Sequence, residues 1–274
     1  MKTTFKILLF LLLTVLTQIG GLVLLLSLML HRFIDKNVIV RWQQLLANVA
    51  LFVILYLSAT FTVVPPLAGM LGRVRLPITE HNHVKPATVV TCLLNRNYVR
   101  PQLREVVYNA AAALQQSDST FVLCYLDACF PFGNGFPLFP HLSHNDGKKI
   151  DLVFVYRYAT DNTLSNSSPS VIGYGVSEGP RQGEEDRAAF CKKCGYTQYG
   201  LLNQLVPQSN HSRYVFDEPL TALLVTQFVT DERIGKVFIE PHLKQRLGLQ
   251  QYDKIRFQGC RSVRHDDHIH VQLK

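Results

Sequence analysis

The sequence predicts an α+β fold, a small antiparallel sheet with flanking helices, preceded by an N-terminal transmembrane helical hairpin. Three observations carry this expectation. Two long uncharged apolar runs open the chain of 274 residues. Beyond them, strand-like and helix-like patterns follow one another without the regular alternation of a doubly wound sheet. Five of the ten histidines fall in two short segments, at 141–144 and 265–270, each beside a strand-like run.

No charged residue occurs from Ile7 to Leu30 or from Trp42 to Gly72. A helix crosses the hydrocarbon core of a bilayer in about 20 apolar residues. The run "ILLFLLLTVLTQIGGLVLLLSLML" is long enough, and it exceeds the roughly 7–15 residues of a signal-peptide core. The second run, Leu45 to Val64, stops just before Pro65 and Pro66. Residues 1–70 are therefore expected to form a two-helix hairpin in the lipid bilayer, 71–86 a polar linker, and 87–274 the folded domain. A hairpin returns both ends of the chain to one side. Arg32, Lys36 and Arg41 favour an inside loop, while Lys2, Lys6, Arg73 and Arg75 count against it. All six cysteines follow the hairpin, and an even number suits disulfides in an oxidising compartment. The expectation is a cell-membrane protein with its domain on the periplasmic or extracytoplasmic side.

Within the domain, "ATVVTCLL" (87–94) reads as a strand, and 100–117 as an amphipathic helix with apolar residues at helical spacing. "TFVLCYLDA" (120–128) and "IDLVFVYRY" (150–158) are β-branched and aromatic runs expected to be buried strands. Between them lies a Pro- and Gly-rich loop. Helices are expected around 184–205 and 217–230, the latter with Asp217 as N-cap. "KVFIE" reads as a short strand, Pro241 as the opening of a helix, and "HIHVQL" as the closing strand. The formal charge of +8 is dispersed. No run of like charges and no nucleic-acid motif occurs, so no nucleic-acid partner is expected.

In "HIH", the strand period of two places His268 and His270 on one face and Ile269 in the opposite layer. In "HLSHNDGKKID", His144 lies in a loop and Asp151 begins a strand, with Gly147 between them allowing a sharp turn. Bringing that loop edge beside the closing strand assembles His, Asp and His. Three protein ligands with a position left for water is the pattern of a catalytic zinc; imidazole and carboxylate donors suit Zn2+.

The pattern H-x-S-H-x-x-G-x-x-x-D, from His141 to Asp151, followed by H-D-D-H-x-H-V, from His265 to Val271, resembles the penicillin-insensitive murein endopeptidases. These belong to a wider zinc peptidase group that includes lysostaphin-type enzymes, D-Ala-D-Ala metallopeptidases and the Hedgehog signalling domain. The resemblance spans about Cys129 to the C-terminus and is sharp only in the two motifs. It implies zinc held by His144, Asp151 and His270, His268 as general base or transition-state stabiliser, and His141 and His265 lining the site. Two departures bear on substrate choice. Lys149 stands where that family usually has an acidic residue, and the tryptophans it carries just before the second motif are absent, the only tryptophan here being Trp42.

The expected chemistry is peptide-bond hydrolysis. Zinc lowers the pKa of a bound water to about 7, His268 handles the proton, an imidazolium at His141 or His265 helps to stabilise the oxyanion, and Asp266 or Asp267 orients an imidazole. Three functions compete: a membrane-anchored endopeptidase cutting peptide cross-links of peptidoglycan, a zinc D,D-carboxypeptidase or dipeptidase of the same group, and a zinc-containing binding module without turnover.

Overall fold

The computed structural model describes residues 3–274. The first apolar run is two helices rather than one: α1, Thr3–Thr17, and α2, Gly20–Asn37. The break falls at Gln18, whose φ of 66° is left-handed, and the two helices pack tightly against each other. Gly21 permits that approach, since a Cβ there would lie 2.0 Å from Thr14 Oγ1. Helix α3 follows, Arg41–Met70, and among the described residues it alone is long and apolar enough to cross a membrane. Pro65 and Pro66 do not end it. Each proline removes a backbone donor, and the preceding Ala59–Val63 widens to π geometry, so the helix continues to Met70.

The domain is mixed α+β. Its strands are β1, Val74–Arg75; β2, Val84–Pro86; β3, Tyr98–Val99; β4, Leu123–Tyr125; β5, Lys149–Leu152; β6, Tyr156–Tyr158; β7, Tyr214–Phe216; β8, Ile234–Phe238; β9, Ile255–Arg256; and β10, Ile269–Leu273. The principal sheet runs β2–β4–β5–β10–β8–β9, with β1–β3 and β6–β7 as separate pairs. Its centre is antiparallel, as expected, but the outer pairs β2–β4 and β8–β9 are parallel.

Three sequence expectations are corrected. Residues 87–94 are not a strand: β2 ends at Pro86 and the chain turns into a short helix, Val89–Leu93, because the hydrogen-bonded partner of β4 lies earlier, at 84–86. Residues 71–86 are not a free linker, since they hold β1 and β2, with Leu76 and Arg73 buried. The helix over 184–205 is broken into Arg187–Lys193 and Leu201–Leu205 by Gly195 and Gly200, both at positive φ.

Helices Pro101–Ser117 and Glu218–Thr230 cover one face of the sheet. Leu103, Val107, Leu114, Val225 and Phe228 pack there with Ile150, Leu152, Ile269 and Val271 in the main core. Asp217 caps the second of these helices as expected, accepting from Leu220 N–H at 3.0 Å. Because side chains alternate along a strand, the residues between these apolar ones, Asp151 and His270, face the opposite side. That side carries the site.

A smaller apolar cluster of Ile19, Val23, Val64, Ala68 and Tyr98 joins the N-terminal helices to the domain. The Gln18 amide adds a paired contact, donating from Nε2 to the Phe132 carbonyl at 2.7 Å and accepting from Phe132 N–H at 2.9 Å.

Candidate metal centre

Asp151 on β5 and His270 on β10 are direct cross-strand partners, so the sheet register alone brings their side chains together. His144 arrives from the loop between β4 and β5. Its Nδ1 lies 2.7 Å from the Ala128 carbonyl. A carbonyl only accepts, so Nδ1 carries the proton and Nε2 keeps its lone pair toward the site. His144 Nε2 is 3.3 Å from Asp151 Oδ1 and 3.1 Å from His270 Nδ1, and the last two atoms are 2.9 Å apart. The three residues form a buried group able to hold a metal ion.

Two observations test the fit of a small divalent cation. Tetrahedral bonds of about 2.0–2.1 Å put ligand atoms roughly 3.3 Å apart, close to the three edges above. The ionisation states also suit. Burial pushes Asp151 up, but the surrounding charges of His144, His268 and His141 hold it well below the usual carboxylate range. Burial pushes His270 down to about 4, the charges of His144 and His268 adding to this against the raising effect of Asp151. The group thus presents an ionised carboxylate and a neutral imidazole. His144 is lowered by burial yet raised overall by Asp151 and its bond to Ala128.

The other histidines of the two motifs converge on the same place. His268 Nε2 lies 3.7 Å from Asp151 Oδ1, and its Nδ1 is held by Asp267 Oδ1 at 2.5 Å. Burial lowers His268, but Asp151 and Asp267 outweigh it and raise the imidazole to about 9. His141 Nδ1 contacts Asp127 Oδ2 at 3.3 Å and Asp151 Oδ2 at 3.4 Å. The His265 ring sits 4.9 Å from that of His268 and 5.7 Å from that of His270. Burial and the neighbouring charges of His268 and His270 hold it far below the ordinary histidine range. Of the two aspartates only Asp267 orients an imidazole; Asp266 is taken by Arg264, whose Nε donates at 3.0 Å. Nε2 of His141, His268 and His270 is buried without a hydrogen-bond partner. Of these, His268 Nε2 is the one beside the Asp151 carboxylate.

Lys149, at the position where the family resemblance leads one to expect an acid, pairs with Asp146 at 2.5 Å. Sequence reasoning missed four residues of this region. Asp127 bridges His141 and Arg96, the latter at 3.3 Å. Tyr174 donates to Asp151 Oδ2 at 2.9 Å and lies against the rings of His141 and His268. Glu240 accepts from His265 N–H at 3.2 Å. Arg73 threads the loop that carries His141 and His144, donating to the carbonyls of Phe130 and Gly133 and to Asn134 Oδ1. None stands within a recognisable pattern, so no local signal marked them; the "GYG" around Tyr174 marks only a turn.

Cys191 and Cys260 form a disulfide across 69 residues, tying helix Arg187–Lys193 to the loop that leads into His265. Cys92, Cys124 and Cys129 are buried free thiols and Cys194 is an exposed one, so of the six cysteines only one pair bridges. No protein-family model matches the chain, and no curated protein matches it in sequence.

Proposed function

We propose that the protein is a membrane-anchored zinc peptidase that hydrolyses peptide cross-links of peptidoglycan. The observation that carries this reading is the buried His144–Asp151–His270 triangle with His268 and its Asp267 partner beside it. A bound zinc ion supplies Lewis acidity there, activating water and polarising a carbonyl. Asp267 fixes the tautomer and direction of His268, leaving Nε2 to take or give a proton on the reaction side. His141, tied to Asp127 at 3.3 Å, lies beside His268 and would help to stabilise the developing negative charge.

Membrane attachment is supported by α3 and by apolar side chains exposed along all three N-terminal helices, among them Leu8, Leu12, Leu22, Met29, Leu45 and Ile54. Contiguous exposed apolar surface marks a contact with lipid or another protein. The cysteine bridge supports an extracytoplasmic domain, and such an anchor keeps the site close to the wall. Cleavage of terminal peptide bonds, as by a D,D-carboxypeptidase, uses the same residues; product masses separate it from endopeptidase action.

The test uses the full chain in detergent micelles with zinc, because Gln18 and Arg73 hold the loop that carries His141 and His144. Cross-linked wall fragments are incubated with the intact protein and with His268→Ala, and followed by mass spectrometry. Cleavage by the intact chain, slowed about 10²–10⁴-fold in the variant, is the expected result. Zinc binding without cleavage by the intact chain overturns the peptidase reading.

A further inference from the structure

The six histidine and aspartate side chains of the centre are closed off from solvent: His141, His144, Asp151, His265, His268 and His270 are each 5% exposed or less. A peptide cannot reach His268 in this arrangement, and among the side chains packed against its ring is Tyr174. Its ring lies 4.6 Å from that of His141 and 5.0 Å from that of His268, the two imidazoles whose Nε2 atoms are buried without a partner. Its hydroxyl donates to Asp151 Oδ2 at 2.9 Å and accepts from Asp127 N–H at 3.0 Å.

The segment around it is irregular. Residues 167–186 contain neither helix nor strand. Tyr174 stands between Gly173 and Gly175, at φ of 90° and 86°, a conformation that costs glycine little and other residues more. The crest is at the surface, with Val171 and Ile172 72% and 54% exposed, and Tyr174 dips inward from it. Two further bonds hold the segment at Gly175: its N–H donates to Asp267 Oδ2 at 2.6 Å, and its carbonyl accepts from Gln208 Nε2 at 2.8 Å. Asp267 is also the partner of His268. Lifting this segment therefore removes one partner from Asp151 Oδ2 and one from the Asp267 carboxylate that holds His268.

We propose that Ser170–Gly175 is a gate over the metal centre and that Tyr174 is its plug, displaced when a peptide substrate enters. This rests on the peptidase reading for the identity of what enters, and on the packing alone for the closure. Peptide carbonyl and amide groups suit the place that the phenol vacates, since its hydroxyl there both donates to a carboxylate and accepts from a backbone N–H.

The experiment measures access without turnover. The full chain in detergent micelles is treated with diethyl pyrocarbonate, and carbethoxylation of His141 and His268 is timed by peptide mass spectrometry, with exposed His81 as internal control. Tyr174→Ala removes the plug. Gly173→Ala keeps the tyrosine but unseats it, because a Cβ at 173 would lie 2.2 Å from Leu126 Cδ2. Both variants are expected to react about tenfold faster at His141 and His268, the factor for losing one or two net hydrogen bonds that keep the segment shut, with His81 unchanged. Tyr174→Phe, which keeps the ring, is expected to fall between them and the parent. Equal rates in the parent and in both opened variants overturn the gate. So does a Tyr174→Phe protein that no longer cleaves wall fragments while reacting at the parental rate, because the hydroxyl then serves the chemistry rather than the closure. A failure of the peptidase reading shows separately, as absent cleavage with these access rates still different.

Discussion

Glu240 is a buried acid beside the centre, and its neutralisation makes a quantitative test of the packing there. Its side chain accepts from Tyr199 O–H and from His265 N–H, while its Oε2 has no partner. Burial, aided by the charge of Asp266, raises its carboxyl from 4.5 to about 7, against the lowering effects of Tyr199, His265 N–H and Arg264. The sign follows from linkage. Between these two values the folded chain keeps a proton that the unfolded chain has lost, so stability is full below the unfolded value and falls as pH rises through the folded one. An acid displaced this far costs about 2 to 3 kcal/mol between about pH 5 and about pH 8. Glu240→Gln keeps the shape and the acceptor oxygen but does not titrate. Equilibrium urea denaturation of parent and variant in the same micelles, followed by near-ultraviolet circular dichroism, reads the difference. The two proteins should be similar at the acid end, and the variant should gain those kcal/mol at the alkaline end, contributions from all other groups cancelling. Parallel stability curves, separated by the same amount at every pH, refute the reasoning.

Two further outcomes follow from the same structure. The Cys191–Cys260 bridge closes a loop of 69 residues, and Cys260→Ser should lower stability by on the order of 4 kcal/mol; the parent in reductant should match the variant, and no difference between them contradicts the constraint. Arg73 is 2% exposed and donates to two backbone carbonyls and Asn134. Arg73→Met leaves those acceptors buried without their donor, at roughly 3 kcal/mol or more. Amide exchange should therefore quicken across 130–147 and not in β10, and an unchanged loop would show that the guanidinium does not hold it.

The parts of the site that were legible in the sequence are those that depend on local spacing. His268 and His270 share a face, and Ile269 enters the core, because strand period decides both. The pairing of Asp151 with His270 required only that two short strands lie side by side. What stayed hidden depends on distant segments. Asp127, Tyr174, Glu240 and Arg73 reach the centre through the tertiary fold, and nothing near them in the chain announces it. Residues 87–94 have strand-like composition but no free sheet edge to join, since β4 is already paired by 84–86. The break in the first apolar run did have a signal, the "TQIGG" stretch, where a polar residue and two glycines let the chain reverse; length alone concealed it. Disulfide pairing could not be read at all, because the partner of Cys191 is not its neighbour Cys194 but Cys260.

The central claim is that His144, Asp151 and His270 hold a zinc ion. Its most direct test is metal content after equilibration with excess zinc and exhaustive dialysis, measured by mass spectrometry of the element for the full chain and for Asp151→Asn. The variant retains the volume and the hydrogen bond from Tyr174 but loses the charge that binds a cation. The account predicts about one zinc per parent chain and an affinity weaker in the variant by at least the roughly 100-fold upper cost of losing a mere outer-shell partner, with unchanged circular dichroism. A parent chain that leaves dialysis without zinc, or a variant that holds it as tightly, contradicts it.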